Sequence, residues 1–154
     1  MCFSHTGYSC PSGWQLNFLN QCYKLYSNVV KTYTEAKDSC ITNGGMLPEP
    51  RNESENSLVQ NMAGYHSVWL GITDSMTEGV WQFDSDSAIA QYSKWANGVP
   101  MNDNSRNCVC MVSQEWKNVE CDLVNPCKDA VLCVRDPALV TTAQITTTSP
   151  KGND

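Results

Sequence analysis

Between Cys10 and Tyr26 the apolar positions fall in two short aromatic-rich stretches, Cys10-Pro-Ser-Gly-Trp14 with Phe18 and then Cys22-Tyr-Lys-Leu-Tyr26. The polar turn from Asn17 to Asn20 separates them, which predicts a hairpin that a Cys10 to Cys22 bridge would close. The period then changes. Thr32-Tyr-Thr-Glu35 has capping-box spacing, and Tyr33, Ala36, Cys40 and Ile41 share one helical face before Asn43-Gly44-Gly45 stops the run. A second capped start at Asn52-Glu-Ser-Glu55 leads into an apolar stripe of Leu58, Val59 and Met62 that Gly64 ends. From there the chain reads as short strands, Val68-Trp-Leu-Gly-Ile72, Trp81-Gln-Phe83, Cys108-Val-Cys-Met-Val112, Trp116 and Val131-Leu-Cys-Val134, separated by long polar loops. The order of hairpin, two helices and then strands predicts an α+β domain.

Three segments follow from this pattern: an N-terminal segment at 1–9, one domain at 10–136 and a tail at 137–154. Beyond Pro137 the composition turns to Ser, Thr and Pro with no apolar period, so the tail is expected to be a disordered stalk and a candidate for O-glycosylation. At 154 residues and 41% apolar content the chain suits one domain with a core.

The nine cysteines change the picture more than the length does, because that density belongs to an oxidising compartment; the chain is expected to be secreted or extracellular. The start at Met1-Cys2-Phe3 lacks the regions of a signal peptide, so a leader is expected to have been removed. No apolar run reaches the ~20 residues of a membrane span. A formal charge of -6 excludes a surface built to track nucleic acid or anionic lipid. A zinc site at Cys108, Cys110, Cys121 and Cys127 is disfavoured by ligand spacing. No nucleophile elbow or metal-ligand histidine pair occurs, and neither His5 nor His66 lies in a catalytic context, which points to a binding module rather than an enzyme.

The landmarks from Cys10 to Cys133 resemble, in order, those of the long-form C-type lectin-like domain: the opening Cys-Pro-x-Gly-Trp, two helices, Trp69-Leu70-Gly71, Glu78-Gly79-Val-Trp81, Trp95, the Pro100 loop, Cys108, Trp116, Cys121 and Cys133. The stretches around Asn52 and from Gly71 to Gly79 look most like mannose-binding collectins. The resemblance implies a fold of two helices with two small antiparallel sheets and long loops pinned by disulfides. It implies the bridges Cys10 with Cys22, Cys40 with Cys133 and Cys108 with Cys121. Cys110 and Cys127 are surplus to that pattern and are expected to pair, pinning the extra residues between Cys121 and Cys133. Cys2 is left for a disulfide-linked dimer, a free terminal thiol being the alternative.

In sugar-binding relatives a calcium ion sits among carboxylates and amides that also hold two sugar hydroxyls, and calcium takes six to eight oxygens. The family's Glu-Pro-Asn and Trp-Asn-Asp motifs fall at Val99-Pro100-Met101 and Trp116-Lys117-Asn118, and a further acidic ligand falls at Arg106. Asn118 is the remaining oxygen donor, unless Asn102, Asp103 and Asn104 realign. Glu49-Pro50 lies ahead of the second helix and is no substitute. A second calcium position, one that braces the loop, retains Asp74 and Glu78, with Asn102 or Asp103 as a third ligand.

The expected ligand surface is therefore Met101, Asn102, Asp103, Asn104, Arg106, Lys117 and Asn118, binding a glycan or an extracellular protein without the sugar-site calcium. No cofactor is required in this reading, and a structural Ca2+ is the one candidate ion. The alternatives are a calcium-dependent lectin with a rearranged loop and a matrix structural component. Asn52-Glu53-Ser54 is an N-glycosylation acceptor sequence.

Overall fold

In a computed structural model the described part of the chain is residues 7–140. The elements are β1 (Gly7–Ser9), β2 (Gln15–Leu16), β3 (Cys22–Ser27), α1 (Tyr33–Thr42), α2 (Glu53–Ala63), β4 (Val68–Thr73), β5 (Gln82–Phe83), β6 (Cys108–Val112), β7 (Glu115–Val119), β8 (Ala130–Arg135) and β9 (Ala138–Val140). They form a ribbon β1-β9, a three-stranded sheet β2-β3-β8 and a four-stranded sheet β5-β4-β6-β7. All the strand pairs are antiparallel.

Local chemistry accounts for the helix starts. At α1 the Thr32 side chain accepts from the Glu35 N–H, and the Glu35 carboxylate accepts from the Thr32 N–H at 2.9 Å, a complete capping box. At α2 the Asn52 side chain accepts from the Glu55 N–H at 2.9 Å, but Glu55 reaches past the cap to the Arg51 N–H at 2.7 Å. The reciprocal arm is thus displaced by one residue.

Strand β4 explains its own uninterrupted apolar sequence, because both of its faces are covered. Val68, Leu70 and Ile72 enter a core with Leu58, Val59, Val109, Met111, Trp116 and Leu132. Trp69, on the other face, packs with Tyr33, Ala36, Leu47 and the half-cystines. The β4–β6 register shifts between Leu70 and Thr73. Gly71 lies in that shift, and a Cβ there would meet Glu49 Cγ at 3.0 Å, so a side chain at this position would displace its neighbours.

Four disulfides fasten this frame: Cys10–Cys22, Cys40–Cys133, Cys108–Cys121 and Cys110–Cys127. The second links residues 93 apart, tying α1 to β8. The fourth holds the 121–127 segment to β6.

Phe18 projects from the predicted hairpin turn, 71% exposed. Two sequence expectations need correction. Ile41, assigned to the buried face of α1, is 55% exposed, since it sits at the margin of a face that Tyr33, Ala36 and Cys40 already fill. The boundaries at 9/10 and 136/137 also move outward, because Gly7–Ser9 pairs with Ala138–Val140. Backbone pairing orders these residues although their sequence has no apolar period. Cys2 and residues 141–154 of the expected tail lie outside the described residues.

Candidate functional site

The long loop between β5 and β6 rests on aromatic rings packed edge-on or tilted against one another. Trp95 meets Trp81 at 5.0 Å and Trp116 at 5.6 Å between ring centroids, and Tyr92 meets Trp116 at 5.8 Å. Backbone bonds join the loop to the start of β7, with the Trp116 N–H donating to Lys94 O and the Ala96 N–H to Trp116 O. Beneath them the Trp116 indole N–H donates to Asn56 Oδ1 at 2.8 Å, tying α2 to the base of the loop. Asn56 is fully buried and was missed in the sequence; a polar residue beside the Leu58 and Val59 stripe was its only signal.

Asn118 closes the loop. Its Oδ1 accepts from the Met101 N–H at 3.0 Å, while its Nδ2 donates to Met101 O at 2.8 Å and to Arg106 O at 3.3 Å. With 4% exposure it is a clamp on the loop backbone, which corrects its expected place on the open ligand surface. The side chain faces inward because β7 alternates, leaving Lys117 exposed beside it.

The remaining expected surface residues do gather on the loop, with Met101, Asn102 and Asn104 exposed and Asp103 and Arg106 half-buried. Arg106 pairs with Asp103 at 3.3 Å, and its guanidinium also lies against the Met101 sulfur. Asp103 accepts from the Ser105 N–H at 2.9 Å and from the Ser105 hydroxyl at 2.8 Å. Those donors, the backbone N–H first, and then the Arg106 charge hold its carboxyl below the usual aspartate range. The Val99–Pro100 peptide ahead of them is cis.

The three expected loop-bracing ligands are not brought together as a set. Asp74 and Glu78 line one small cleft with Gly79, Trp81, Pro100, Met101 and Asn102. The Asp103 carboxylate is engaged with Ser105 and Arg106 instead, and only its backbone reaches the cleft, donating to Glu78 Oε1 at 3.0 Å. Among the described residues no cluster of three acidic, histidine or cysteine side chains is placed to hold a metal. Asp74 is 2% exposed; one of its oxygens accepts from the Gly79 N–H at 2.9 Å and the other, buried, has no partner. The cleft thus holds an unpartnered buried carboxylate oxygen, with Glu78 and Asn102 also in its lining, and without the Asp103 carboxylate.

Glu49 lies away from the Met101–Arg106 stretch and instead holds the start of the loop. It accepts from the Ser85 N–H at 2.8 Å, the Ser85 hydroxyl at 2.6 Å and Arg51 at 3.2 Å. Burial raises its pKa against these bonds. Asn52 is exposed at the start of α2, with its side-chain oxygen engaged in the cap.

Residues 29–134 match the family model of the lectin C-type domain. A perlucin-like protein of Mytilus galloprovincialis is 32% identical over 122 residues, 74% of this chain and 77% of the relative. Human collectin-10 is 33% identical over 98 residues, 60% of this chain but 35% of collectin-10, so the match spans about a third of that protein. In fold the chain is similar to a calcium-independent type II antifreeze protein, with TM-score 0.74 and 21% identity over 86% of this chain and 98% of the other. It is equally similar to the carbohydrate-recognition domain of cow CD23, with TM-score 0.73 and 24% identity over 86% and 99%. The helices, the disulfides, the aromatic floor of the loop and these matches agree, and the chain belongs to the C-type lectin domain family.

Proposed function

We propose that the chain is an extracellular recognition module, not an enzyme, that binds a glycan or protein through the long loop without a calcium ion at the family's sugar position. One observation carries this reading: Asn118, the one oxygen donor left by Val99, Met101, Arg106 and Lys117, is buried and bonded to the loop's own backbone. An ion there would have to break the clamp and would still lack carboxylates. The exposed remainder, a thioether, amides and a paired Arg106 and Asp103, has the mixed character of protein-recognition surfaces.

The four disulfides favour an oxidising compartment, and among the described residues no helix is long and apolar enough to cross a membrane. Asn52 at an exposed helix start is the site where a glycan would be attached.

A glycan array and a pull-down with extracellular proteins, each run in calcium and in chelator, test the reading. Binding that persists in chelator and is lost in Arg106→Glu supports it; binding abolished by chelator overturns it. A second ion position at Asp74, Glu78 and Asn102 is favoured by the orphaned Asp74 oxygen. Such an ion would brace the loop from behind. A calorimetric calcium titration of the wild type and Asp74→Asn tests it: heat absent from both rejects the ion, and heat lost only in the variant supports it.

A further inference from the structure

The end of β8 carries a cation that the described fold does not neutralise. Of the three arginines, Arg51 and Arg106 each pair with carboxylates, while Arg135 has no ion pair among the described residues. Arg135 is half-buried, and its guanidinium lies over the Trp14 ring at 5.6 Å from the ring centre. Its Nε is buried without a hydrogen-bond partner; its terminal nitrogens are not sealed in this way and leave the outer side of the fork open. The end of α1 does not use that fork. Its Ser39, Cys40 and Ile41 carbonyls accept instead from the N–H groups of Asn43, Gly45 and Gly44.

Arg135 lines a groove of about 280 Å³ between this helix end and the last residues of β8. That is close to the lower end of small-molecule sites, ~300 Å³. Two glycines keep it open. A Cβ on Gly44, which has a φ of 80°, would lie 2.8 Å from Arg135 Nη1, and one on Gly45 would lie 2.7 Å from Val134 O. Met46 and Val134, joined by a backbone bridge, give the groove its apolar side, and Gln21 adds an amide. Through these same three residues it adjoins a hollow of about 130 Å³ that Glu49 and Glu55 line. Asp136 is the one acid in the Arg135 groove, and it is exposed, where water screens its charge.

We propose that this groove binds an aliphatic monocarboxylate, its carboxylate on the Arg135 fork and its stem along Met46 and Val134. The unpaired guanidinium selects for an anionic head, because a neutral one would leave the charge without a partner. A second carboxylate at the far end of the stem would meet Glu49 and Glu55. A peptide would strand its amide groups, since Gln21 is the one side-chain amide in either lining. The groove shares no residue with the Asp74 and Glu78 cleft or with the Met101–Arg106 stretch, so the proposal stands apart from the long-loop reading.

The test is a titration of the isotopically labelled full chain with hexanoate, hexanamide and adipate in turn, followed by NMR of the backbone amides and the arginine Nε–H groups. Hexanoate is expected to give saturable shifts at Gly44, Gly45, Met46 and the Arg135 Nε–H. Hexanamide and adipate should bind at least tenfold more weakly, the first lacking the charge and the second carrying one too many. Arg135→Gln should weaken hexanoate at least tenfold, as loss of a charge-assisted pair does, and Arg135→Lys should recover part of that loss by restoring the charge without the fork. The comparison of the three ligands needs no variant, so it decides the matter even if a substitution unfolds the chain. No saturable shift with hexanoate, equal binding of hexanamide or adipate, or undiminished binding in Arg135→Gln would each overturn the proposal.

Discussion

The disulfide-tied frame and the long loop are held by different forces. Around β4 and β8 stability comes from apolar side chains buried on both strand faces, and from a bridge between residues 93 apart. Between β5 and β6 the chain has little regular structure, and Asn118, a few carboxylates, a few backbone bonds and the indole rings fix its path. The first kind of order is spread over many contacts and survives the loss of one. The second is concentrated in directional bonds, so its sequence is free to change wherever those bonds are kept. A recognition surface is expected on the second kind of order.

The largest effect should come from the frame. Replacing Cys40 and Cys133 together with alanine is expected to lower stability by about 2 to 5 kcal/mol, with the whole domain losing cooperativity in thermal unfolding followed by far-UV circular dichroism. If only the long loop were affected, the distinction between the regions would fail. Asn118→Ala should act the other way round. Loss of its buried bonds is expected to cost about 1 to 3 kcal/mol. Amide exchange should quicken at Met101 and its neighbours, while β4 and β8 keep their protection. Equal loss of protection in β8 would show that the loop and the frame are one cooperative unit.

The smallest effect is a matter of pH. Asp103 has its folded pKa depressed, so its contribution to loop order is present above the ordinary value of 3.8 and is lost as pH falls through the lower folded value. Glu49, raised by burial, has the opposite sign: the folded state loses stability as pH climbs from 4.5 through the raised folded value. Carboxyl-carbon NMR titration should place Asp103 below 3.8 and Glu49 above 4.5. Midpoints in the reverse order would mean that neither environment is as described.

The frame was legible because its determinants are local or covalent. The caps at Thr32 and Asn52, the apolar run of β4 and the cysteine and tryptophan series each announce themselves in the chain. The ends of the domain did not, since the β1–β9 pairing depends on backbone bonds between segments with no apolar pattern. The content of the site was legible only as replacements. Sequence shows that Val99, Met101 and Arg106 are not calcium ligands, but not that Asn118 turns inward, which depends on the path the loop takes over β7.

The pairing of Gly7 with Val140 puts the points of entry and exit side by side. Tension applied at these two points would peel β1 from β9 one pair at a time rather than shear them together. The peeling would continue between β3 and β8 from Cys22 opposite Arg135, and the Cys40–Cys133 bridge would limit its extent, because it closes the chain that runs from β3 through α1 onto β8. The module is thus mechanically soft over its first few pairs and covalently limited after them, a short extensible catch in which the long loop, enclosed between Cys40 and Cys133, lies beyond the reach of the pull.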